Sequence, residues 1–325
     1  MLTVLMATYN GARTLPEVLN AYCKLDSPEG GWKLIIVDNG STDSTKDIIS
    51  SFTSRLPLTY VFEPQLGKSV ALNTGLRNIF GDLVVMTDDD ALPRLDWLVQ
   101  MRNAADSQPA FAVIGGAIVP RWEVPPGEWI LPFWSALTLT GPDWEEGPTV
   151  MARVSGPNMV VRSKVIDGGY RFDTSLGPVG PRYRMGEDAD FVQRLGKAGF
   201  KAWHCKRAIV EHIIRKDQMN KKWMLRRATK LGCAQYQWEC KEYGMNPPAL
   251  FLGTPRYLIR QILEQAIRTV RAILTQKVDM AYQERWQLHY LIGRTIGGRI
   301  ALNSKKPLVA QKVVPGNGDR YIRGT

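Results

Sequence analysis

Short apolar segments alternate with amphipathic ones along the first hundred residues, and this alternation restricts the fold more than any other feature of the sequence. Buried β-strands are predicted at four segments: "LTVLMAT", "WKLIIVD", "LTYVFE" and "DLVVMTD". Helices are predicted between them over residues 14–23, 44–52 and 69–79. Continuously apolar strands separated by helices are typical of a parallel sheet that is covered on both faces. We therefore predict an α/β, Rossmann-like fold with a mostly parallel sheet flanked by helices.

Polar side chains follow three of these strands at the point where each strand ends. They are Asn10, Asp38 and the run Asp88-Asp89-Asp90 in "MTDDDALP". Sheets of this type bind ligands at the carboxyl ends of their strands, so these side chains are predicted to belong to one binding site.

The three adjacent aspartates would repel one another unless a positive partner lay between them. Strand alternation predicts that Asp88 and Asp90 point to one side of the strand and Asp89 to the other. Closely spaced carboxylate oxygens are the ligands that Mg²⁺ and Mn²⁺ prefer, and these ions keep open positions for phosphate oxygens. The alternative is that Asp90 caps a helix that follows it, a role that needs only one acid.

The pattern is less regular after residue 105. "FAVIGGAIVP" and "ARVSGPNMVVRSKVI" predict strands, and residues 121–148 between them predict a long loop with at most a short helix. "GEDADFVQRLGKAG" predicts a helix whose first turn contains Glu187, Asp188 and Asp190 and whose end precedes Gly199. The acids in this turn would complement the helix dipole whether or not they have a further role.

Charge is divided unevenly along the chain. Residues 1–200 contain 18 basic and 23 acidic residues, a net charge of −5, whereas residues 201–325 contain 24 and 8, a net charge of +16. Helix is predicted from about residue 220 to about residue 300, with a break near residues 244–255. A basic region of this size indicates an anionic partner such as a membrane surface, a nucleic acid or a phosphorylated substrate.

Within this region, "PRYLIRQILEQAIRTVRAIL" predicts a basic amphipathic helix. Its apolar residues recur at helical spacing, and the other faces carry Arg256, Arg260, Arg268 and Arg271. Such a helix suits an anionic membrane surface, and "KKWMLRRATKLG" adds to the basic patch. The alternative is that the apolar stripe packs on the rest of the chain or on another chain. Nucleic-acid binding is disfavoured because no recognised module is present.

The remaining features of the sequence indicate a cytosolic location. The four cysteines form no C-x-x-C pair and no regular framework, which favours reduced thiols. The N-terminal "MLTVLMATYN" lacks the basic start of a secretory leader. No run approaches the roughly 20 apolar residues that a spanning helix needs.

Several of these segments, taken together, resemble the family 2 glycosyltransferases, which have the GT-A fold. The resemblance covers roughly residues 1–215, and Ala7 departs from it because the family often has proline there. The similar segments, in chain order, are "ATYNGARTLP", "VDNGSTDST", "GKSVALNTGL", "DDD", "GPNMVVR" and "GEDADFVQRL".

The resemblance implies two regions and a set of residue roles. Residues 1–105 would bind the nucleotide sugar and residues 106–219 would bind the acceptor. Charge and helical spacing assign residues 220–325 to a basic, mainly helical extension. Asp188, with Glu187 beside it, would supply the catalytic base of an inverting transfer. Contacts to the donor nucleotide would come from Ala7, Thr8, Tyr9, Asn10, Asp38, Lys68, Asn73, Asp88 and Asp89.

The same resemblance implies a divalent cofactor, Mn²⁺ or Mg²⁺, held by Asp90, Asp88 and His212. A lone histidine in an apolar strand also has an ordinary structural role, and His204 competes for the place of His212. Lys68 and Arg162 are candidates for phosphate contact, although basic residues on loops are usually only solvated.

The substrates are less constrained than the reaction. Uridine diphosphate is the expected donor nucleotide, and the acceptor is expected to be a polysaccharide, a lipopolysaccharide or a lipid-linked glycan. Tryptophans of the long loop are expected either to stack on acceptor sugars or to form a small core under that loop. These residues are Trp122, Trp129, Trp134 and Trp144.

Two other functions fit parts of the pattern. A sugar-phosphate nucleotidylyltransferase would also use a parallel sheet and acid-bound metal, but it would have a glycine-rich phosphate loop where this chain has "TYNGARTLP". A non-catalytic glycan- or membrane-binding protein could retain the fold, although the acids at 88, 90 and 188 argue against this. The sequence gives no indication of the oligomeric state.

Overall fold

A computed structural model of the chain describes residues 1–137, 139–141, 143–179, 182–183, 185–243, 250–251, 254–275 and 278–303. All seven elements predicted before the acidic run are present, and α3 ends a turn earlier than predicted. In chain order they are β1 (Leu2–Thr8), α1 (Leu15–Tyr22), β2 (Trp32–Asp38), α2 (Thr45–Ser51), β3 (Leu58–Phe62), α3 (Lys68–Gly75) and β4 (Leu83–Asp88).

Residues 91–214 complete the sheet. Their elements are β5 (Ala91–Pro93), α4 (Trp97–Ser107), β6 (Val113–Trp122), β7 (Gly147–Thr149), β8 (Met159–Arg162), α5 (Ser163–Asp167), β9 (Pro178–Val179), β10 (Arg182–Tyr183), α6 (Glu187–Lys197) and β11 (Ala202–Ile214). The rest of the chain forms α7 (Lys221–Tyr243), β12 (Leu250–Phe251), β13 (Thr254–Pro255), α8 (Arg256–Leu274) and α9 (Val278–Asn303). The predicted break after α7 lies partly outside the described residues.

Within the described residues the main sheet has nine strands, in the order β3-β2-β1-β4-β8-β6-β11-β5, and β7 pairs with the start of β11. Strands β1 to β4 are parallel to one another, as predicted. Strand β8 runs antiparallel between β4 and β6, and β5 and β7 are antiparallel to β11. The α/β fold class is confirmed, and its parallel half brings the carboxyl ends of β1, β2 and β4 to one edge.

Strands β1, β2 and β4 are buried on both faces of the sheet along most of their length, as continuously apolar strands require. In β1, Val4 and Met6 pack into the core on one face while Leu5 packs into the core on the other. Alternate side chains of one strand point to opposite faces, so a strand buried on both sides must be apolar throughout.

The strand predicted over residues 152–166 was wrong in extent. Only β8 is a strand there, because Pro157 cannot donate a ladder hydrogen bond and Asn158 is held by side-chain bonds instead. The Asn158 amide donates to the carbonyls of Ala117 and Ala208 at 2.8 Å each, and its oxygen accepts from Trp97 Nε1. Tertiary hydrogen bonds thus replace the local pattern.

The predicted long loop contains one 3₁₀ segment, Glu128–Leu137, which is kinked at Phe133. Its aromatic side chains pack against α9. The rings of Trp129 and Tyr282 are 5.2 Å apart, and those of Phe133 and Trp286 are 5.3 Å apart. These contacts attach the C-terminal helices to the sheet domain.

Helices α7 and α9 approach each other closely at three glycines. A Cβ at Gly232, Gly293 or Gly297 would clash with the backbone of the facing helix. Only glycine permits so short a separation between helix backbones. Within the described residues, no helix combines the length and apolar character that crossing a membrane requires.

Candidate functional site

A cavity of about 580 Å³ opens at the carboxyl ends of β1 and β4. Its floor includes Ala7, Thr8 and Tyr9 from the end of β1 and the acidic run that follows β4. Another wall combines the end of β11 and the segment after it, where His212 was predicted to belong to the site, with α7, which the sequence assigned to another role. That wall consists of His212, Ile214, Arg215, Gln218, Trp223, Arg226, Arg227 and Lys230.

All three carboxylates of the acidic run line this cavity. The alternation predicted for them was wrong because β4 ends at Asp88, so Asp89 and Asp90 lie in a turn. Helix capping by Asp90 was also wrong, since β5 follows it and α4 begins only at Trp97.

Among the three aspartates, Asp89 lies in surroundings that disfavour its negative charge. It accepts a hydrogen bond from Thr8 Oγ1 at 2.5 Å. Burial, together with the charges of Asp90 and Asp88, raises the pKa of Asp89 to about 7. The run therefore has more negative charge than its protein neighbours compensate.

His212 lies beside Asp90 in a fixed orientation. Strand β11 pairs His212 with Ala91, and the Ile213 N–H donates to the Asp90 carbonyl at 2.8 Å. Because a carbonyl can only accept, the bond of 3.0 Å between Nδ1 and the Leu137 oxygen places the ring proton on Nδ1. Nε2 then faces Asp90 Oδ1 at 3.4 Å.

Neighbouring charges shift the pKa values of both Asp90 and His212. Burial alone would raise the pKa of Asp90, but His212, Arg215 and Lys68 outweigh it and lower that pKa below its ordinary value. Burial likewise opposes the charged form of His212, yet Asp90 raises the pKa of the imidazole. Each partner thus stabilises the charged form of the other.

The donor set fits a divalent cation. Asp88 and Asp90 offer hard oxygen atoms, His212 offers Nε2 with its other nitrogen already bonded, and Asp89 lacks charge compensation. As the side chains stand, the described residues contain no group of three or more histidine, cysteine or acidic side chains close enough to hold a metal. Lys68 lies against Asp88 instead, with its Nζ 2.7 Å from Oδ1.

Lys68 connects the acidic run to the start of α6. Its Nζ is 2.7 Å from Asp88 and 3.4 Å from Glu187 Oε1. Burial disfavours its charge, but Asp88, Asp188 and Glu187 outweigh burial and raise the pKa of Lys68 well above its ordinary value. A permanent cation therefore lies between the two groups of acids.

The three acids of the first turn of α6 have different surroundings. Asp190 is buried and forms a 2.8 Å ion pair with Arg194, which also donates to the Arg171 carbonyl. Asp188 is half-buried, and burial together with Glu187 and Asp88 raises its pKa to about 7 even though Lys68 opposes the shift. The ion pair explains Asp190, whereas the helix dipole, which would lower the pKa of Asp188, does not account for the raised one.

Gly156 holds the Asp188 side chain from the other side. A Cβ at Gly156 would clash with the Asp188 carboxylate, and the Gly156 N–H donates to it. The segment "GPN" therefore supports the acid of α6, which lies 32 residues later in the sequence.

The polar residues predicted after β1 and β2 form hydrogen bonds in the loops there, and Asn10 connects the two loops. Asn10 has a φ of 54°, and its Oδ1 accepts from the Thr42 N–H at 2.8 Å. Asp38 accepts from the Ser41 N–H at 2.9 Å and from the Tyr60 hydroxyl at 3.0 Å. Both side chains shape the loop beside the cavity.

Asn39 was missed by the sequence interpretation. It lines the cavity, and its oxygen accepts from the Gly67 N–H at 2.6 Å. Its amide donates to the Gln65 carbonyl at 2.7 Å, which fixes the loop that leads to Lys68. Its position directly after Asp38, at the end of a strand, is the sequence feature that could have identified it as part of the site.

Asn73, Arg162 and His204 have other roles than the predicted ones. The Asn73 amide pairs with the backbone of Phe172 in both directions, at 2.9 Å each. Arg162 donates to backbone carbonyls, Phe111 among them, because antiparallel β8 places it at the opposite end of the sheet from Asp88. His204 packs against Trp144, and neither lines the cavity.

Of the four predicted acceptor tryptophans, none is among the residues that line the cavity. Trp122 and Trp129 pack against the main core, and Trp144 contacts His204 and Arg153. The side chain of Trp134 lies outside the described residues. The cavity instead contains Trp223 of α7.

The basic wall of α7 was also missed at this site. We use "basic wall" for Arg226, Arg227 and Lys230, which follow Trp223 at the spacing of one helix face. Arg227 donates to the Ala136 carbonyl at 3.1 Å, and its guanidinium lies 5.7 Å from the centre of the Trp223 ring system. Burial and the charges of the two arginines lower the pKa of Lys230. Mutual repulsion of this kind is typical of a site for an anion.

Comparison with known proteins is consistent with this site. The chain matches the model of glycosyl transferase family 2 over residues 3–169, slightly more than half of its length. It is 24% identical over 200 residues to glycosyltransferase AglE of Haloferax volcanii, covering 61% of this chain and 62% of that protein. It is 31% identical over 118 residues to validoxylamine A glucosyltransferase of Streptomyces hygroscopicus subsp. jinggangensis, covering 35% of this chain and 28% of that protein. The chain thus spans less than two thirds of either relative.

Solved structures share the fold. The mannosyltransferase PcManGT of Pyrobaculum calidifontis, in complex with GDP-Man and Mn²⁺, superposes with a TM-score of 0.62 at 22% identity, over 94% of this chain and 88% of that one. TarS of S. aureus, in complex with UDP-GlcNAc, superposes with a TM-score of 0.53 at 14% identity, over 89% and 90%.

Proposed function

The chain belongs to glycosyl transferase family 2, and we propose that it transfers a sugar with inversion from a nucleoside diphosphate sugar to an acceptor hydroxyl. One observation carries this proposal. Asp188, a half-buried carboxylate with a pKa raised to about 7, is fixed against Gly156 and lies across Lys68 from the acidic run. A general base near neutrality and a phosphate-binding site are the two parts that such a transfer needs.

The donor would lie at the edge formed by β1, β2 and β4. We assign contacts to the nucleotide to Ala7, Thr8 and Tyr9 on the cavity floor, with Asp38 and Asn10 shaping the adjoining loop. Uridine diphosphate is the proposed nucleotide. TarS has been solved with UDP-GlcNAc and PcManGT with GDP-Man, so guanosine diphosphate is the first competitor to test.

Mn²⁺ or Mg²⁺ would be held by Asp90, Asp88 and His212, with Asp89 adjusting its charge beside them. A bound divalent cation would supply positive charge to the phosphate oxygens of the donor. Lys68 would lie close enough to the same acids to add a second, permanent positive charge as the diphosphate departs.

Asp188 would act as the catalytic base. The acceptor oxygen forms a bond to the anomeric carbon while its proton passes to the Asp188 carboxylate. The bond from that carbon to the phosphate oxygen breaks, and the nucleoside diphosphate leaves with the electron pair. A single displacement of this kind inverts the anomeric centre. Glu187 would hold Lys68 and, through it, the position of both groups of acids.

The acceptor would meet the basic wall. We propose that it carries a phosphate or pyrophosphate group, as a lipid-linked glycan does, and that Arg226 and Lys230 contact this group. Trp223 would provide an aromatic surface beside it. We place the reaction in the cytoplasm, since no disulfide bond joins the four cysteines, all of which are described.

Nucleotide-sugar turnover with and without Mn²⁺ tests this proposal. We expect release of nucleoside diphosphate from one of UDP, GDP or dTDP sugars, dependence on the metal, and loss of release in Asp90→Ala. A nucleotidylyltransferase would instead form the nucleotide sugar from a sugar phosphate and release pyrophosphate. If nucleotide sugars bound in a metal-dependent way but none of them was turned over, the non-catalytic alternative would hold.

A further inference from the structure

Helix α8 buries two polar side chains, Gln265 and Thr269, and leaves most of its large apolar side chains outside. Its buried residues are Leu258, Gln265, Thr269 and Ala272. Gln265 Nε2 donates to the Glu284 carbonyl at 3.1 Å, and Thr269 Oγ1 donates to the Gln265 carbonyl at 2.8 Å. Gln265 therefore bonds α8 to α9, whereas the Thr269 bond lies within α8 itself.

The large apolar side chains of α8 are exposed instead. Their exposed fractions are 60% for Leu263, 69% for Ile267, 54% for Val270, 53% for Ile273 and 76% for Leu274. We call these five residues the α8 face. At about 100° per residue, four of them fall within roughly 60° of one another and opposite Gln265, and Ile273 extends the stripe to one side. The sequence alternative in which this stripe packs on the rest of the chain does not hold for the described residues.

Arginines border the α8 face. Arg256, Arg260, Arg268 and Arg271 are all exposed, and the helix contains a single acid, Glu264, which pairs with Arg260 at 2.7 Å. An exposed apolar stripe beside an excess of positive charge is complementary to a surface that is apolar below and anionic above.

We propose that the α8 face lies in the interfacial region of an anionic lipid bilayer, with its arginines among the headgroups. Five apolar side chains on one short helix can enter the acyl boundary without any spanning segment. This attachment is separate from the sugar-transfer site, whose basic wall lies on α7.

A second copy of the chain is a weaker candidate for the same face. A twofold dimer would place the face against itself and would bring two sets of arginines together, with one acid each to compensate them. Residues 304–325 are also a poor cover on charge grounds, because they contain five basic residues and one acidic residue. An anionic lipid surface satisfies both the apolar stripe and the arginines.

Vesicle co-sedimentation of the full chain tests this inference. We expect strong binding to vesicles of phosphatidylcholine with 30–40% phosphatidylglycerol at low salt, and binding weaker by about tenfold or more to pure phosphatidylcholine or at high salt. Ile267→Glu with Leu274→Glu should abolish binding, whereas Leu95→Glu, which is 58% exposed at an unrelated surface, should not. Arg268→Gln with Arg271→Gln should weaken binding, whereas Arg55→Gln should leave it unchanged.

Two controls separate the alternatives. Stabilisation by nucleoside diphosphate and Mn²⁺ should persist in the face variants, so that loss of vesicle binding cannot come from misfolding or from the donor site. Sedimentation velocity reports the oligomeric state. A dimer that Ile267→Glu dissociates, in a chain that does not bind vesicles, would assign the face to a second copy and overturn the inference. Equal binding to neutral and anionic vesicles would overturn it as well.

Discussion

The Cα of Gly156 lies directly against the carboxylate of Asp188, so that no side chain fits between them. Gly156 is not in the left-handed region of backbone conformation, and alanine would therefore be acceptable to the backbone. Space for the Asp188 carboxylate is the physical reason for glycine at this position.

Gly156→Ala should reduce kcat by about a hundredfold, because the added methyl group displaces the general base from its position. Asp188→Asn should reduce kcat by a similar or larger factor. Nucleotide binding, measured by thermal shift with Mn²⁺, should be retained in both variants. Wild-type kcat in Gly156→Ala would show that the position of Asp188 is not critical.

The rate should fall on the acid side of about pH 7, where Asp188 becomes protonated. The base is active only without its proton, so a pKa raised by burial moves the loss of activity upward from the range of an ordinary carboxylate. Below this point kcat/KM should fall by about tenfold per pH unit. Lys68→Gln removes a charge that lowers the pKa of Asp188, and should shift the acid limb to higher pH. If the acid side of the pH profile did not move in Lys68→Gln, the group that titrates there would not be Asp188.

Asp190→Asn and Asp188→Asn should change stability in opposite directions. Asp190 is buried and paired with Arg194, so its neutralisation should lower the free energy of unfolding by about 1–3 kcal/mol. The folded-state pKa of Asp188 is raised, so its charged form is unfavourable above about pH 7 and Asp188→Asn should raise Tm at pH 8. Thermal denaturation measures both. A loss of Tm in Asp188→Asn would indicate a structural role.

Removal of metal should abolish the stabilisation that a nucleoside diphosphate provides. His212→Ala and Asp90→Ala should each raise the Mn²⁺ dissociation constant by about ten- to a hundredfold, measured by calorimetry with UDP present. His204→Gln is the matched control, because His204 lies in the same strand but away from the cavity. If His204→Gln weakened Mn²⁺ binding as much as His212→Ala does, the assigned metal site would be wrong.

Arg226→Ala with Lys230→Ala should raise KM for a phosphate-bearing acceptor by about tenfold or more and leave KM for the donor unchanged. Lys222→Ala is the control, since Lys222 is an exposed cation of the same helix and is not among the residues that line the cavity. A rise in the donor KM instead would assign the basic wall to the donor diphosphate.

The sequence determined the parallel half of the sheet and the place of the site. Strands β1, β2 and β4 are apolar along most of their length, and that local property is enough to predict strands buried on both faces. Strand β3 is the edge strand, and its Thr59 and Phe62 are exposed. Because the carboxyl ends of parallel strands share one edge, the position of Asp88, Asp89 and Asp90 beside the end of β1 followed as well.

The tertiary structure decided which side chains meet. Arg162 and Asn73 have suitable chemistry for a ligand, but antiparallel β8 and the Phe172 backbone direct them elsewhere. Arg226 lies more than 130 residues from Asp90 in sequence and still lines the same cavity. Amphipathic spacing predicts that α8 is a helix with one apolar side, but it does not say which side faces inward. That orientation depends on the hydrogen bond that Glu284 of α9 accepts from Gln265, and such contacts between distant parts of the chain leave no local pattern in the sequence.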